Sequence, residues 1–191
     1  DNTYDASGAL IDVDAARWEV PVRGITESYG VRPRGFWQAH VRGAEVLAGA
    51  VVSAAVGADE AGAGHAVMEL YSGAGLFSVP LARAVGNGGR VVTLEGDEGA
   101  VRDAGANVAA FSWVDVFAGA VDSEGVVDLS GQLGAVPDVV VADPPRAGAG
   151  ADVCRAIAAT GAPRVVLVSC DPAAGARDLR ALTECGYTLA S

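Results

Sequence analysis

Val67-Met-Glu-Leu-Tyr71, then Ser72-Gly-Ala-Gly75, then Leu76-Phe-Ser-Val-Pro-Leu-Ala-Arg-Ala-Val85: an apolar run, a glycine turn and a longer periodic segment follow one another without a break. The run reads as a strand and Leu76–Val85 as a helix, stopped by Gly86-Asn-Gly-Gly89. The same alternation continues toward the C-terminus. Arg90–Leu94, Ser112–Phe117, Val136–Ala142 and Val165–Ser169 read as strands. Glu98–Ala109 can form a helix despite Gly99 and Gly105, and Ala151–Ala159 and Ala173–Cys185 read as helices. Apolar runs without alternation indicate strands buried on both faces, hence a parallel sheet covered by helices. The expected class is α/β, a doubly wound Rossmann-like sheet.

Upstream, Val41, Ala44, Ala48, Val51, Val52 and Ala55 recur at helical spacing, so Gln38–Val56 reads as an amphipathic helix. Ala58–Gly64 is a small-residue linker, and residues 1–35 show turn residues and short apolar pieces but no domain of their own. Gly186–Leu189 reads as the start of another strand. The expected division is a remnant of a preceding segment (1–35), a helix and linker (36–64) and a main domain (65–191) incomplete at its C-terminus.

Composition bounds the function. With 51% hydrophobic and 19% charged residues over 191 positions, the chain is globular. No apolar run reaches the roughly 20 residues needed to span a bilayer. The acidic, polar stretch Asp1–Asp14 has no basic start and no apolar core, so no secretion signal is read. The cysteines Cys154, Cys170 and Cys185 are odd in number and widely spaced, without a CxxC pair, which argues against a zinc site and for a reducing, cytoplasmic setting. The formal charge of −11 argues against binding nucleic acid by electrostatics alone, while leaving room for a local patch that grips RNA. All 13 basic residues are arginines; Arg17, Arg23, Arg32, Arg34 and Arg42 cluster early, mixed with acidic residues as on an ordinary solvated surface.

Three stretches carry chemistry. Glycines in Ser72-Gly-Ala-Gly75 let the backbone turn tightly and approach a ligand, and a helix N-terminus follows. The second strand ends at Glu95, where a carboxylate can accept hydrogen bonds from ribose hydroxyls. Together they point to an adenosine-containing cofactor. The turn is not a full GxGxxG and there is no GK[ST], which disfavours dinucleotides and phosphate loops and favours S-adenosylmethionine. Val139-Val-Val-Ala-Asp-Pro-Pro-Arg146 places Asp143 at a strand's carboxyl end, with two prolines forcing an extended path. Val165-Val-Leu-Val-Ser-Cys-Asp-Pro172 repeats the arrangement with Cys170. Cys154 and Cys185 read as small helix hydrophobes, while Cys170 lies where Asp171-Pro172 breaks the strand.

In these stretches the chain resembles the RNA (uracil-5-)-methyltransferases, which act on tRNA and ribosomal RNA. The resemblance runs from about Gly35 to Ser191. Its segments are Phe36-Trp-Gln-Ala-His40, Glu69-Leu-Tyr-Ser-Gly-Ala-Gly-Leu-Phe77, Thr93-Leu-Glu95, Ala142-Asp-Pro-Pro-Arg-Ala-Gly148, Ser169-Cys-Asp-Pro172 and Arg177-Asp-Leu179. The combination of Asp-Pro-Pro-Arg with Ser-Cys-Asp-Pro is the specific part. The resemblance implies S-adenosylmethionine as cofactor, held at Gln38, Tyr71, Glu95 and Asp143 and by the backbone at Gly73, Gly75 and Leu76. It implies Cys170 as nucleophile, with Phe36, Pro144 and Arg146 toward the target base, RNA as partner, and neither metal nor membrane. The family's general base is a glutamate on a segment beyond the position of Ser191. Relatives often carry Asn where this chain has Leu76, and a polar side chain near the adenine where it has Ala118-Gly-Ala-Val121. Many also carry an N-terminal RNA-binding β-barrel, for which residues 1–35 are too short.

Two other readings follow from the same residues: a methyltransferase on another base or on an exocyclic amine, and a non-catalytic cofactor- or RNA-binding module. Amine methylation needs no thiol, so Cys170 discriminates between the enzymes. His40 reads as a helix-start hydrogen-bonding residue and His65 as a solvated loop residue.

Overall fold

The computed structural model describes residues 16–57 and 62–190. Residues 1–15, residues 58–61 of the expected linker and Ser191 lie outside the described residues. In chain order the elements are β1 (Ala16–Val22), β2 (Ile25–Val31), α1 (Gly43–Val56), β3 (Ala66–Leu70), α2 (Ser78–Val85), β4 (Arg90–Glu95), α3 (Glu98–Asn107), β5 (Val114–Ala118), α4 (Ser123–Leu133), β6 (Val139–Ala142), α5 (Ala151–Ala159), β7 (Val165–Leu167) and α6 (Pro172–Glu184).

Strands β3 to β7 form a parallel sheet in the order β5-β4-β3-β6-β7. Successive side chains of a strand point to opposite faces, and here both faces are apolar. Val67, Val91, Val139 and Val141 join α1 and α2 in one core cluster. Met68, Leu70, Val92, Val140 and Ala142 join α4, α5 and α6 in the other. The unbroken apolar runs of the sequence are therefore explained by burial on both faces, as expected for the doubly wound class.

Strand β3 lies between β4 and β6, so strand order reverses there and a crevice opens above the carboxyl ends of β3 and β6. Helix α1 runs against the strands. The Arg164 guanidinium, just before β7, donates to the Ala55 carbonyl at the end of α1 (2.9 Å). The start of α1 and the segment before it therefore lie at the carboxyl end of the sheet.

Four elements differ from the sequence expectation. Residues 16–31 form an antiparallel hairpin turned by Arg23 and Gly24, both at positive φ (50° and 82°). Two residues at positive φ suit the right-handed twist of a hairpin, but an arginine there and Pro21 within the strand hid it. Helix α4 was not anticipated because Gly125 and Gly131 interrupt it; Asp122 caps it, accepting the Gly125 N–H at 2.9 Å. Helix α1 begins at Gly43 and not Gln38, since His40 folds the preceding residues into a turn, its Nδ1 and carbonyl accepting the Arg42 and Gly43 N–H groups (3.1 and 2.8 Å). Gly186–Leu189 adds no strand to the described sheet.

Leu81 of α2 is completely buried in the first cluster. Leu81→Ala is expected to lower the unfolding free energy by about 2–5 kcal/mol through lost burial and a residual cavity, measured as a reduced midpoint in urea.

Candidate cofactor and nucleophile site

The loop after β3 is built from backbone. Tyr71 sits at φ 62°, Gly73 at 54° and Gly75 at 84°. Positive φ is open to glycine and costly for a tyrosine, so the sequence signal at the two glycines is explained and Tyr71 carries strain. At Gly75 a Cβ would also lie 3.4 Å from Ala104 of α3 and from Ser78 Oγ. The Gly75 N–H closes the turn onto the Ser72 carbonyl at 2.9 Å.

Glu95, at the end of β4, faces this loop. Its carboxylate accepts the Gly73 N–H at 2.9 Å and the Asp97 N–H at 2.8 Å. Glu69 of β3 lies beneath, fully buried. One of its oxygens accepts from the Ser78 hydroxyl at 2.6 Å, and the other, Oε1, has no partner. Burial pushes the Glu69 carboxyl up to about 8, assisted by the negative charges of Asp143 and Glu95 and opposed by the Ser78 hydrogen bond. Asp143 follows β6, with its N–H on the Leu70 carbonyl at 3.3 Å, and burial raises its carboxyl to about 6. Three carboxylates thus crowd one crevice. Such a place favours a cationic guest, which would relieve their repulsion and supply the donor that Glu69 Oε1 lacks.

The Tyr71 hydroxyl donates to the Val121 carbonyl at 3.4 Å, and burial raises it to about 12. Beyond Glu95, at the ends of β4 and β5, a cavity of about 320 Å³ is lined by Leu94, Phe117, Gly119, Asp122, Leu129 and Gln132 among others.

The second arm of the site stands on β6 and β7, which pair with Ala142 opposite Leu167. The Val168 N–H continues the ladder to the Ala142 carbonyl at 2.8 Å. Asp143 and the Ser169-Cys170-Asp171 turn therefore leave the same end of adjacent strands. Asp171 caps α6, accepting the Ala174 N–H at 2.8 Å, with Pro172 in the first turn. This ends the strand and leaves Cys170 exposed with a free thiol, while Cys154 is buried. Within Asp143-Pro-Pro-Arg146, Pro144 is buried and Pro145 and Arg146 are exposed. Gln38 is half-buried and Phe36 is 76% exposed, both ahead of α1 at the crevice end of the sheet.

Comparison with known proteins bears on this arrangement. The chain is 42% identical over 171 residues to an uncharacterized RNA methyltransferase of Bifidobacterium longum, covering 90% of this chain and 39% of that one. It is 40% identical over 126 residues to the 23S rRNA (uracil-C(5))-methyltransferase RlmD of Acinetobacter baylyi, covering 66% of this chain and 27% of that one. The chain is thus similar to RNA methyltransferases, one of them named for carbon 5 of uracil. It spans about two fifths or less of the length of these relatives. No family model matches it. Among solved structures, a Thermus thermophilus 16S rRNA N2 methyltransferase in complex with AdoMet and guanosine superposes with a TM-score of 0.59 at 23% identity, over 83% of this chain and 41% of that one. A precorrin-6y C5,15-methyltransferase of Geobacter metallireducens gives 0.61 at 17%, over 84% and 77%. Likeness at that identity establishes the shared methyltransferase fold alone.

Two residues gain weight that sequence reading left without a role. Glu69 opened the family-like Glu69–Phe77 stretch without a role of its own. Asp178 lay in the family-like Arg177-Asp-Leu179 stretch, yet it is 3% exposed. Its carboxylate accepts the Ala149 N–H at 2.7 Å and the Gly150 N–H at 3.0 Å, locking the end of the Asp143–Arg146 loop to α6. The detectable signal was a charge on the apolar stripe formed by Ala174, Ala181 and Leu182. Among the described residues no group of three or more His, Cys, Asp or Glu could hold a metal ion, and no helix is long and apolar enough to cross a membrane.

Removing the Asp178 carboxylate strands two loop N–H groups. Asp178→Ala is expected to cost about 1–3 kcal/mol of stability, read from urea unfolding. Glu69 gives a pH signature. Folded, it keeps its proton to about pH 8; its ordinary value is 4.5. Between those values the folded chain binds more protons than the unfolded one, so this contribution to stability is complete below 4.5 and is lost as pH rises toward 8. In Glu69→Gln that loss is absent, and the Tm measured from pH 5 to 8 should fall less than in the parent.

Proposed function

We propose that this chain is the methyl-transferring part of an enzyme that methylates carbon 5 of uridine in tRNA or ribosomal RNA, with S-adenosylmethionine as donor and Cys170 as nucleophile. The observation that carries the reading is the meeting of three elements at one end of the sheet. They are the glycine loop with its carboxylates, the Asp143-Pro-Pro-Arg146 loop and the exposed free thiol of Cys170.

The donor set fits the cofactor. S-adenosylmethionine carries a sulfonium and an ammonium; Glu95 and Asp143 offer negative charge, and the buried Glu69 offers an unpartnered oxygen. Gln38, Tyr71, Gly73, Gly75, Leu76, Glu95 and Asp143 would hold it, and the cavity beside Phe117 and Leu129 suits a flat purine. When bound, it supplies an electrophilic methyl group to carbon 5.

Carbon 5 of uracil is a poor nucleophile in the intact ring. The Cys170 thiolate adds to carbon 6, and the electron pair of the 5,6 double bond moves toward the carbon-4 carbonyl, giving an enolate whose carbon 5 can be methylated. A base then removes the carbon-5 proton, the double bond re-forms, and the thiolate leaves. Phe36, Pro144 and Arg146 would face the base, which must be turned out of its stack to present carbon 6. The exposed positions of Phe36 and Arg146 suit contact with RNA. Free thiols on Cys154, Cys170 and Cys185 suit work in the reducing cytoplasm.

A 5-fluorouridine RNA stem-loop with S-adenosylmethionine tests the reading. Fluorine cannot leave as a proton, so the covalent adduct accumulates. Intact mass under denaturing conditions is expected to show protein plus RNA plus one methyl group. Cys170→Ala should give none. Adduct on Cys170→Ala would move the nucleophile elsewhere, adduct with 5-fluorocytidine RNA alone would change the base, and cofactor binding without any adduct would favour a binding module.

A further inference from the structure

We infer that the β1–β2 hairpin is a working part of the cofactor site: Tyr29 and Asn107 hold the backbone of the loop 72–77 in its binding form. The inference rests on the reading of that loop as the cofactor loop.

The argument begins with Pro80. In an α-helix the carbonyl of residue 76 accepts the N–H of residue 80. Proline has none. The bonds on either side are made, Val79 N–H to the Gly75 carbonyl at 3.2 Å and Leu81 N–H to the Phe77 carbonyl at 2.9 Å. The Leu76 carbonyl between them takes the Tyr29 hydroxyl as donor instead, at 3.0 Å. Tyr29 is fully buried, with its ring 5.2 Å from that of Trp37, and burial keeps its phenol protonated far above the physiological range. A buried carbonyl without a donor is costly, so the loop is bound to the hairpin at the residue where helix α2 leaves a gap.

Asn107 makes a second tie. Its side-chain oxygen accepts the Gly30 N–H at 2.8 Å, and its amide nitrogen donates to the Gly30 carbonyl at 3.0 Å and to the Ala74 carbonyl at 2.8 Å. One side chain thus joins the hairpin, α3 and the loop. A third tie reaches the other wall of the site: Arg32 pairs with Asp97 and with Asp103 (3.1 Å), and the Asp97 N–H holds Glu95. Buried Glu27 locks the hairpin to Arg83 of α2 at 2.9 Å. These polar ties converge on the loop and on the carboxylate opposite it.

Tyr29 and Asn107 are therefore positioning residues, acting through the Leu76 and Ala74 carbonyls. Tyr29→Phe removes one hydroxyl and keeps the ring packing. It is expected to raise the Kd for S-adenosylmethionine about three- to tenfold, the range of one net hydrogen bond, and Asn107→Ala by more. In the double variant Tyr29→Phe/Pro80→Ala, residue 80 regains an N–H for the Leu76 carbonyl, and affinity should return toward the parent value. Val22→Ala, a buried hairpin residue beside the turn, should lower Tm without changing Kd.

Isothermal titration with S-adenosylmethionine and amide hydrogen exchange of residues 74–77 in the free protein test this together. Faster exchange and weaker binding in Tyr29→Phe, both reversed by Pro80→Ala, support the inference. Unchanged exchange overturns the tie itself. Faster exchange with unchanged Kd overturns the inference by showing that the loop, though braced, is not the cofactor loop. Equal Kd losses in Tyr29→Phe and Val22→Ala overturn it in favour of plain destabilisation.

Discussion

Strand β3 is hydrogen-bonded to β4 on one side and β6 on the other. Because the chain leaves the end of β3 toward one side and reaches β6 from the other, no connection covers the carboxyl ends of these two strands. Everything of interest here depends on that reversal. It opens the crevice, and it brings Glu69, Glu95 and Asp143 from three strands into one electrostatic neighbourhood. It also sets the Cys170 turn beside the Asp143 loop, since β7 pairs with β6.

The crevice is held by backbone hydrogen bonds made to side chains from elsewhere in the chain. Glu95 binds the Gly73 N–H, Tyr29 the Leu76 carbonyl, Asn107 the Ala74 carbonyl, and Asp178 the N–H groups of Ala149 and Gly150. Each compensates a group that regular structure leaves unpaired, and each comes from an element distant in sequence. Loops with positive φ at Tyr71, Gly73 and Gly75 persist because their surroundings fix them. The acidity of the crevice has the same character. Burial, with a smaller push from Asp143 and Glu95, keeps Glu69 largely protonated at neutral pH, and a cationic guest would reverse the balance.

The whole-chain charge of −11 and the proposed RNA partner are reconciled by location. The acidic groups Glu69, Glu95 and Asp143 are gathered in the crevice, whereas Arg146 and Phe36 are exposed. Overall charge governs long-range attraction; contact with the proposed RNA base would be decided by a few local residues. The chain spans two fifths or less of the length of these relatives, so any RNA contacts made by the rest of their length lie outside it.

The sequence by itself determined the α/β class, the two glycines of the turn after β3 and the placing of Glu95, Asp143 and Cys170 at strand ends. These were legible because they are local: apolar runs report double-sided burial, glycine reports positive φ, and Asp-Pro ends a strand. Only the tertiary structure decided the rest. The hairpin was hidden by an arginine at positive φ and by Pro21, and α4 by its glycines. The roles of Tyr29, Asn107 and Asp178 could not be read because their partners are the backbones of residues between 28 and 77 positions away. A backbone carbonyl or N–H leaves no mark on composition or periodicity, so which side chain satisfies it is settled only when the chain has folded.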